Sequence, residues 1–286
     1  MRSLELKGAD DLGLHALEWS QSGRPLWLMH GFGHSARVWD EVVGSLTDSF
    51  RVLAVDQRGH GDSDHDPERG YSHPDFGRDL VALTEGVEDP LHVVVGHSMG
   101  GYGAMHFAGR HPERLAALVV VDAGADLAQP KAGRFKGLGI QAPPRFETHD
   151  EYARTLVRTL PLTSETQRAR LARHWLRRAE AGHYELKWDP AYLEPRHGFD
   201  PLADRSEWAE QESARLWGFL EGLTCPLLVV RGEHSPILSV ETARRMVEVS
   251  PPGSRFAEVQ GAGHPVMLDN PADLSGVLEG FLSDLA

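Results

Sequence analysis

Three features of the sequence predict an α/β architecture built on a mostly parallel sheet. Short apolar runs alternate with amphipathic ones through the first half: PLWLMHG, ARVWDEVVGSL, RVLAVDQRG, DFGRDLVALTEGV, LHVVVGHS, MGGYGAMHFAGRH and LAALVVVDAG. Runs such as VVV carry no polar alternation, as strands buried on both faces of a parallel sheet require. The same rhythm returns near the end in CPLLVVRG, VETARRMVEV and RFAEVQG, followed by a helix from Pro271, where Pro and Asp suit a helix start.

The opening SLELKGADDLGLHALEWSQSG differs, because a Gly-Ala-Asp-Asp turn joins two short alternating runs. That predicts an antiparallel hairpin at the sheet edge. After Gly124 the βα rhythm stops, and for about 100 residues the spacing is helical, as in EYARTLVRTL, SETQRARLARHWLRRAEAG and SEWAEQESARLWGFLEGL. The expected organisation is a core of residues 1–124 and 223–286 with a helical lid at 125–222 between its halves. The Ala-Gly-Arg-Lys-Pro mixture at 128–145 is the expected flexible loop.

Composition narrows the partners. A chain of 286 residues with 41% hydrophobic content can bury one large core. Its formal charge of −13 argues against nucleic acid, which needs clustered Lys and Arg. Uninterrupted apolar runs stop well short of the roughly 20 residues that span a bilayer, so membrane insertion is not expected. Cys225 is the single cysteine and cannot form an internal disulfide. The start MRSLELKGADDLG has neither a basic n-region nor an apolar h-region, which makes the expected location cytoplasmic. No cofactor motif is found, and oligomeric state is not readable.

VVVGHSMGG places Ser98 in G-x-S-x-G between a strand and a helix. The bare pattern is weak; its context is specific. A sharp strand-to-helix turn crowds its neighbours, and Gly96 and Gly100 leave room there. Ser98 then stands at the carboxyl end of the sheet, facing the amino end of a helix whose N–H groups favour developing negative charge. The alternative is a serine that merely caps a helix.

A serine hydroxyl needs a base. His264, in the loop GAGHPV after the last apolar strand, is the candidate among sixteen histidines, the alternative being a solvated loop residue. Two backbone N–H groups must also converge on the oxyanion. We assign them to Phe32, which follows the strand end His30-Gly31, and to Met99. His30 is read as bracing that loop and bordering the substrate.

HGFGHSARVW, DQRGHGDSD, GHSMGG and GAGHPVMLDNP, in this order, resemble the α/β-hydrolase superfamily, whose fold is a mostly parallel eight-stranded sheet flanked by helices with a lid inserted. The resemblance covers nearly all of the chain outside the lid. It implies serine chemistry with an acyl-enzyme, since dehalogenases and epoxide hydrolases of this fold use an aspartate where Ser98 stands. A competing pattern, His60-Gly-Asp62-Ser-Asp64-His65, loosely resembles a zinc-ligand motif, but it coincides with the DxRGHGxS loop of the superfamily and lacks a completing ligand cluster. Cys225 reads as a small buried hydrophobe without a neighbouring base.

The triad acid is displaced from its usual place. In the superfamily it follows the strand written here as LLVV, where VRGEHSPIL offers Ser235 and Pro236, and only Glu233 as a carboxylate. Asp122, ending LAALVVVDAG, lies one strand away at the same sheet edge, about 5 Å per strand step. Small bacterial esterases and thioesterases resembling this chain read VDI or VDA there and G-x-x-S-P in the later loop, with the acid on the earlier strand. Asp122 is therefore preferred, with Glu233 the alternative.

The lid carries ten aromatic residues from Phe135 to Trp217, among them Trp175, Trp188 and Phe199. Trp175 and Trp188 are the expected substrate-binding pair, and an apolar acyl group is the expected cargo. The arginines of RARLARHWLRR read as a solvated face. The predicted activity is hydrolysis of a small-molecule carboxylic ester, with lactone or acyl thioester as variants of the same acyl transfer. A slow-turnover receptor or regulator on the same fold is the alternative of another class.

Overall fold

The computed structural model describes residues 1–127, 145–193 and 206–285. The expected loop at 128–144 and the aromatic residues Phe135 and Phe199 lie outside the described residues.

One eight-stranded sheet carries the fold. Its strands are β1 (Arg2–Lys7), β2 (Gly13–Glu18), β3 (Arg24–Met29), β4 (Phe50–Val55), β5 (His92–His97), β6 (Leu115–Val121), β10 (Leu227–Gly232) and β11 (Arg255–Val259). They stand in the order β1-β2-β4-β3-β5-β6-β10-β11. All pairs from β4 to β11 are parallel, whereas β1 pairs antiparallel with β2 and β2 with β4, which is the edge hairpin that the Gly-Ala-Asp-Asp turn predicts. Helices α1 (His73–Glu85), α2 (Met99–Arg110), α6 (Val240–Glu248) and α8 (Pro271–Leu282) flank it, with a short α7 (Val266–Asp269). The VVV strand β5 is buried along its whole length, as strands covered on both faces must be.

ARVWDEVVGSL departs from the helix that its amphipathic pattern suggests. It forms two 3-10 turns, Ala36–Trp39 and Gly44–Asp48, that still bury Val38, Trp39 and Leu46. The valine pair Val42-Val43 and Gly44 interrupt the run, and each disfavours helix propagation.

The described residues between β6 and β10 are not wholly helical. Helices α3 (His149–Leu156) and α4 (Glu165–Trp175) are flanked in the chain by the strands of a small antiparallel sheet, β7 (Arg145–Phe146) before them and β8 (Leu176–Arg178) and β9 (Tyr184–Leu186) after them, in the order β7-β9-β8. LRRAEAGHYEL thus turns back on itself instead of continuing α4. Gly182 at φ +90 provides the left-handed turn residue, and Ala179 N–H bonds to His183 O at 2.8 Å. Arg170 of α4 pairs with Asp40 and lies 3.7 Å from Glu41, which fixes α4 on the first 3-10 turn. Helix α5 (Ser206–Glu221) packs against α2 on the flank of the sheet, burying Leu216, Trp217 and Leu220. Among the described residues no helix is long and apolar enough to cross a membrane.

Candidate active site

Three consecutive strand ends at one sheet edge build the site. Ser98 N–H bonds to Val121 O at 3.0 Å, Asp122 N–H to Val230 O at 2.8 Å and Glu233 N–H to Val259 O at 3.0 Å. Ser98, Asp122 and Glu233 are therefore equivalent positions beyond β5, β6 and β10. Ser98 sits between β5 and α2 at φ 50, ψ −115, an uncommon conformation for a side-chain-bearing residue. The turn is tight: a Cβ on Gly96 would lie 2.4 Å from Gly100 O, and one on Gly100 would lie 2.5 Å from Met29 O. Only glycine fits at either place.

His264 Nδ1 lies 2.6 Å from Asp122 Oδ2, and His264 Nε2 lies 3.1 Å from Ser98 Oγ. A carboxylate only accepts, so Nδ1 carries the hydrogen and Nε2 presents its lone pair to the serine hydroxyl. Asp122 is fully buried and also accepts from Ser235 Oγ at 2.5 Å and from Gly232 N–H at 3.4 Å. These partners satisfy a carboxylate that would otherwise be costly to bury. Glu233 turns elsewhere, its Oε2 accepting from Gly261 N–H at 2.8 Å.

Gly31 packs against His97 and Ser98, since a Cβ there would lie 2.7 Å from His97 Nδ1 and 3.2 Å from Ser98 Cβ; Phe32 follows it in the chain. Met99 opens α2. Neither the Phe32 nor the Met99 amide has a backbone acceptor among the described residues. Tyr192 spans the two: its ring lies 4.6 Å from that of Phe32, and its hydroxyl lies 3.3 Å from Met99 Sδ.

The remaining predicted substrate residues are more buried than a cleft lining. His30 is fully buried, with Nδ1 on Gly31 O at 2.7 Å and Nε2 accepting from Gln57 N–H at 3.0 Å. Both ring nitrogens are thus engaged inside the protein, so His30 braces the loop and offers no polar atom to a substrate. Trp175 Nε1 bonds to Ser35 Oγ at 3.1 Å, and its ring stacks on His34 at 5.0 Å. Trp188 packs on Phe32 with ring centroids 5.2 Å apart.

Burial favours the neutral form of four imidazoles here, His30, His34, His60 and His97. Burial pushes His97 and His34 well below the ordinary histidine value, lowers His30 and takes His60 down to about 3. Sequence reasoning missed two residues here, His97 and Ser235. Both stood in quoted motifs, His97 beside Ser98 in GHSMGG and Ser235 read only as the absence of an acid.

Among the described residues, two groupings of histidine and carboxylate have spacing that a metal ion could use: His73, His106 and Glu212, and His15, Asp56 and Asp62. Both are already balanced by hydrogen bonds. Glu212 Oε1 takes His73 Nδ1–H at 2.9 Å and His106 Nε2–H at 2.6 Å, while Arg110 faces His106 Nδ1 at 3.2 Å and Arg215 meets Glu212 Oε2 at 2.6 Å. The His60–His65 stretch does not converge on a point: His60 Nδ1 bonds to Arg58 O at 3.0 Å, and Asp62 accepts from Lys187 at 2.5 Å.

A family described as alpha/beta hydrolase fold matches residues 24–271. The chain is an α/β-hydrolase. It is 29% identical over 272 residues to a 3-hydroxybutyrate-oligomer hydrolase of Cupriavidus necator, covering 92% of each chain. It is 26% identical over 262 residues to a 2-(acetamidomethylene)succinate hydrolase of Mesorhizobium japonicum, covering 90% of this chain and 87% of that one. A crystal structure of an α/β-hydrolase from Novosphingobium aromaticivorans is similar with a TM-score of 0.78 and 28% identity, over 99% of this chain and 98% of that one. These similarities support hydrolysis as the activity of this α/β-hydrolase.

Proposed function

We propose that this α/β-hydrolase cleaves carboxylic esters with apolar acyl groups through a serine acyl-enzyme. The observation that carries the reading is the hydrogen-bonded chain from Asp122 through His264 to Ser98. Ser98 Oγ attacks the ester carbonyl carbon while His264 Nε2 takes the hydroxyl proton. The carbonyl oxygen becomes an oxyanion that accepts from the Phe32 and Met99 amides. The C–O bond then breaks, and the alcohol leaves with the proton from His264. Water, deprotonated by His264, attacks the acyl-enzyme, and the acid departs as Ser98 recovers its proton. Asp122 holds the Nδ1–H tautomer throughout and balances the imidazolium charge.

Residues 125–222 are proposed to act as a lid that sets substrate choice, with its described stretch 145–193 supplying Trp188 and Tyr192 beside Phe32 and its described stretch 206–222 packing on α2. The apolar rings support an apolar acyl group. The two curated relatives are named for different substrates, so they support hydrolysis in common and leave the acyl group to be measured. Lactones and acyl thioesters undergo the same acyl transfer.

The test is covalent labelling followed by a substrate panel. A fluorophosphonate adds one mass to the wild type and none to Ser98→Ala. Labelling that persists in Ser98→Ala, or chelator-sensitive activity that survives it, overturns the reading. A panel of p-nitrophenyl esters, acyl-CoA thioesters and lactones ranks the substrates by kcat/KM. A kcat far below the ordinary range of about 1–10³ s⁻¹ on every member favours a receptor or regulator instead.

A further inference from the structure

We infer that His97 is a positioning residue for His264, fixing its main chain with one N–H and backing its ring; this rests on the serine-hydrolase reading above. His97 is the last residue of β5, next to Ser98 and paired in register with Val121, the residue before Asp122. Its Nε2 lies 2.9 Å from the backbone carbonyl of His264. A carbonyl only accepts, so Nε2 carries the hydrogen and the tautomer is settled. The two rings lie 4.7 Å apart. One side chain therefore holds both the backbone and the ring of the proposed base.

Packing alone does not explain an imidazole here. His97 is fully buried, and its Nδ1 has no hydrogen-bond partner among the described residues. An orphaned buried nitrogen is unfavourable, whereas an apolar side chain of similar volume would fill the space without one. What the imidazole adds is the N–H aimed at His264. It also stays neutral: burial, and then the neighbouring His264 and His34, push its pKa well below the ordinary value. A cation beside His264 would oppose the imidazolium that forms when Ser98 gives up its proton.

The bracing continues outward. His34 lies parallel to His97 at 5.7 Å and 8°, and Trp175, the last residue of α4, lies parallel to His34 at 5.0 Å and 12°. Trp175, His34 and His97 thus stack in one column, and His264 meets its inner end with its ring tilted by 43°. His97 is its inner member, and its freedom to turn is limited on the His34 side.

Three variants test the inference. His97→Gln keeps an amide N–H near the reach of Nε2, His97→Asn ends near Nδ1, and His97→Leu has no donor. Fluorophosphonate labelling of Ser98 in the wild type comes first; if it fails, the serine mechanism fails whatever His97 does. With labelling in place, Leu and Asn should lose about 10–100-fold in kcat at nearly unchanged KM, and Gln should remain within about threefold, as expected for a misplaced base. The downfield proton of the His264–Asp122 bond in ¹H NMR should broaden in Leu and Asn and stay sharp in Gln. A purely structural role would lower the melting temperature and leave kcat alone. Unchanged kcat in all variants, equal losses in Gln and Asn, or a loss confined to KM overturns the inference. Should His97→Leu fail to fold, the Gln and Asn pair decides.

Discussion

Ser235 Oγ donates a hydrogen bond of 2.5 Å to Asp122 Oδ2, the same oxygen that accepts from His264 Nδ1 at 2.6 Å. The loop position where the superfamily usually carries its acid therefore holds a donor to the acid proposed on the neighbouring strand. Asp122 reaches His264 because the β6 and β10 ends are adjacent, joined by the bond from Asp122 N–H to Val230 O. Its φ of 51 aims the carboxylate into the gap between them.

Replacing Asp122 tests this placement. Asp122→Asn should lower kcat by about 10⁴-fold with the fold retained by circular dichroism, as amide-for-acid replacement in a serine triad does. Glu233→Gln should cost less than about tenfold, since Glu233 accepts from Gly261 N–H and does not reach His264. The reverse ranking would return the acid role to Glu233.

Ser235 should matter through Asp122. Ser235→Ala removes one donor to the buried carboxylate and the acceptor of Ile237 N–H, and should cost about 1–2 kcal/mol in urea unfolding. Adding Ser235→Asp to Asp122→Asn should restore at least about tenfold of the lost kcat, because a carboxylate at 235 starts beside the vacated oxygen. A double variant no faster than Asp122→Asn would show that the two positions are not interchangeable.

The strands were legible because a parallel sheet buried on both faces leaves unbroken apolar runs, as in LHVVVGHS and LAALVVVDAG. Ser98 and His264 were legible because a tight strand-to-helix turn demands Gly96 and Gly100, and the chain order puts a histidine after the last strand. Helical spacing failed where tertiary contacts decide: ARVWDEVVGSL became 3-10 turns, and LRRAEAGHYEL became a hairpin around Gly182. His97 and Ser235 escaped because their roles are single hydrogen bonds to residues over 100 positions away, which no local pattern encodes. The same holds for the His73–Glu212–His106 cluster, in which His106 and Glu212 are buried and His73 is half-buried, and which ties α5 to α1 and α2.

Trp188 should tune acyl-chain preference. It is buried against Phe32, whose ring also meets Tyr192. Trp188→Ala opens space beside Phe32 and should shift kcat/KM toward longer acyl chains. Each methylene accommodated is worth about 1–3 kcal/mol. Rates on a series of p-nitrophenyl esters measure the shift, and equal losses at every chain length would assign Trp188 to packing alone.

Stability should fall in mild acid, with His92 carrying a separable share. His92 opens β5, is buried, and accepts a hydrogen bond from Trp27 Nε1 at 3.3 Å through Nδ1. Protonation would remove that acceptor, and burial lowers the pKa from 6.5 to about 4. The unfolded chain therefore binds one more proton than the folded one between about pH 6.5 and 4, so stability present above pH 6.5 is lost as pH falls through that window. The slope from one such group is at most about 1.4 kcal/mol per pH unit. His30, His60 and His97 shift in the same direction and steepen the loss. His15, raised by its bond to Asp56, contributes in the opposite sense, losing its stabilisation as pH rises. Urea unfolding at pH 7, 6, 5 and 4 should give a clearly falling stability in the wild type and a shallower fall in His92→Gln, whose amide can accept from Trp27 without titrating. Parallel curves for the two proteins would mean that His92 does not stay neutral in the folded state across this range.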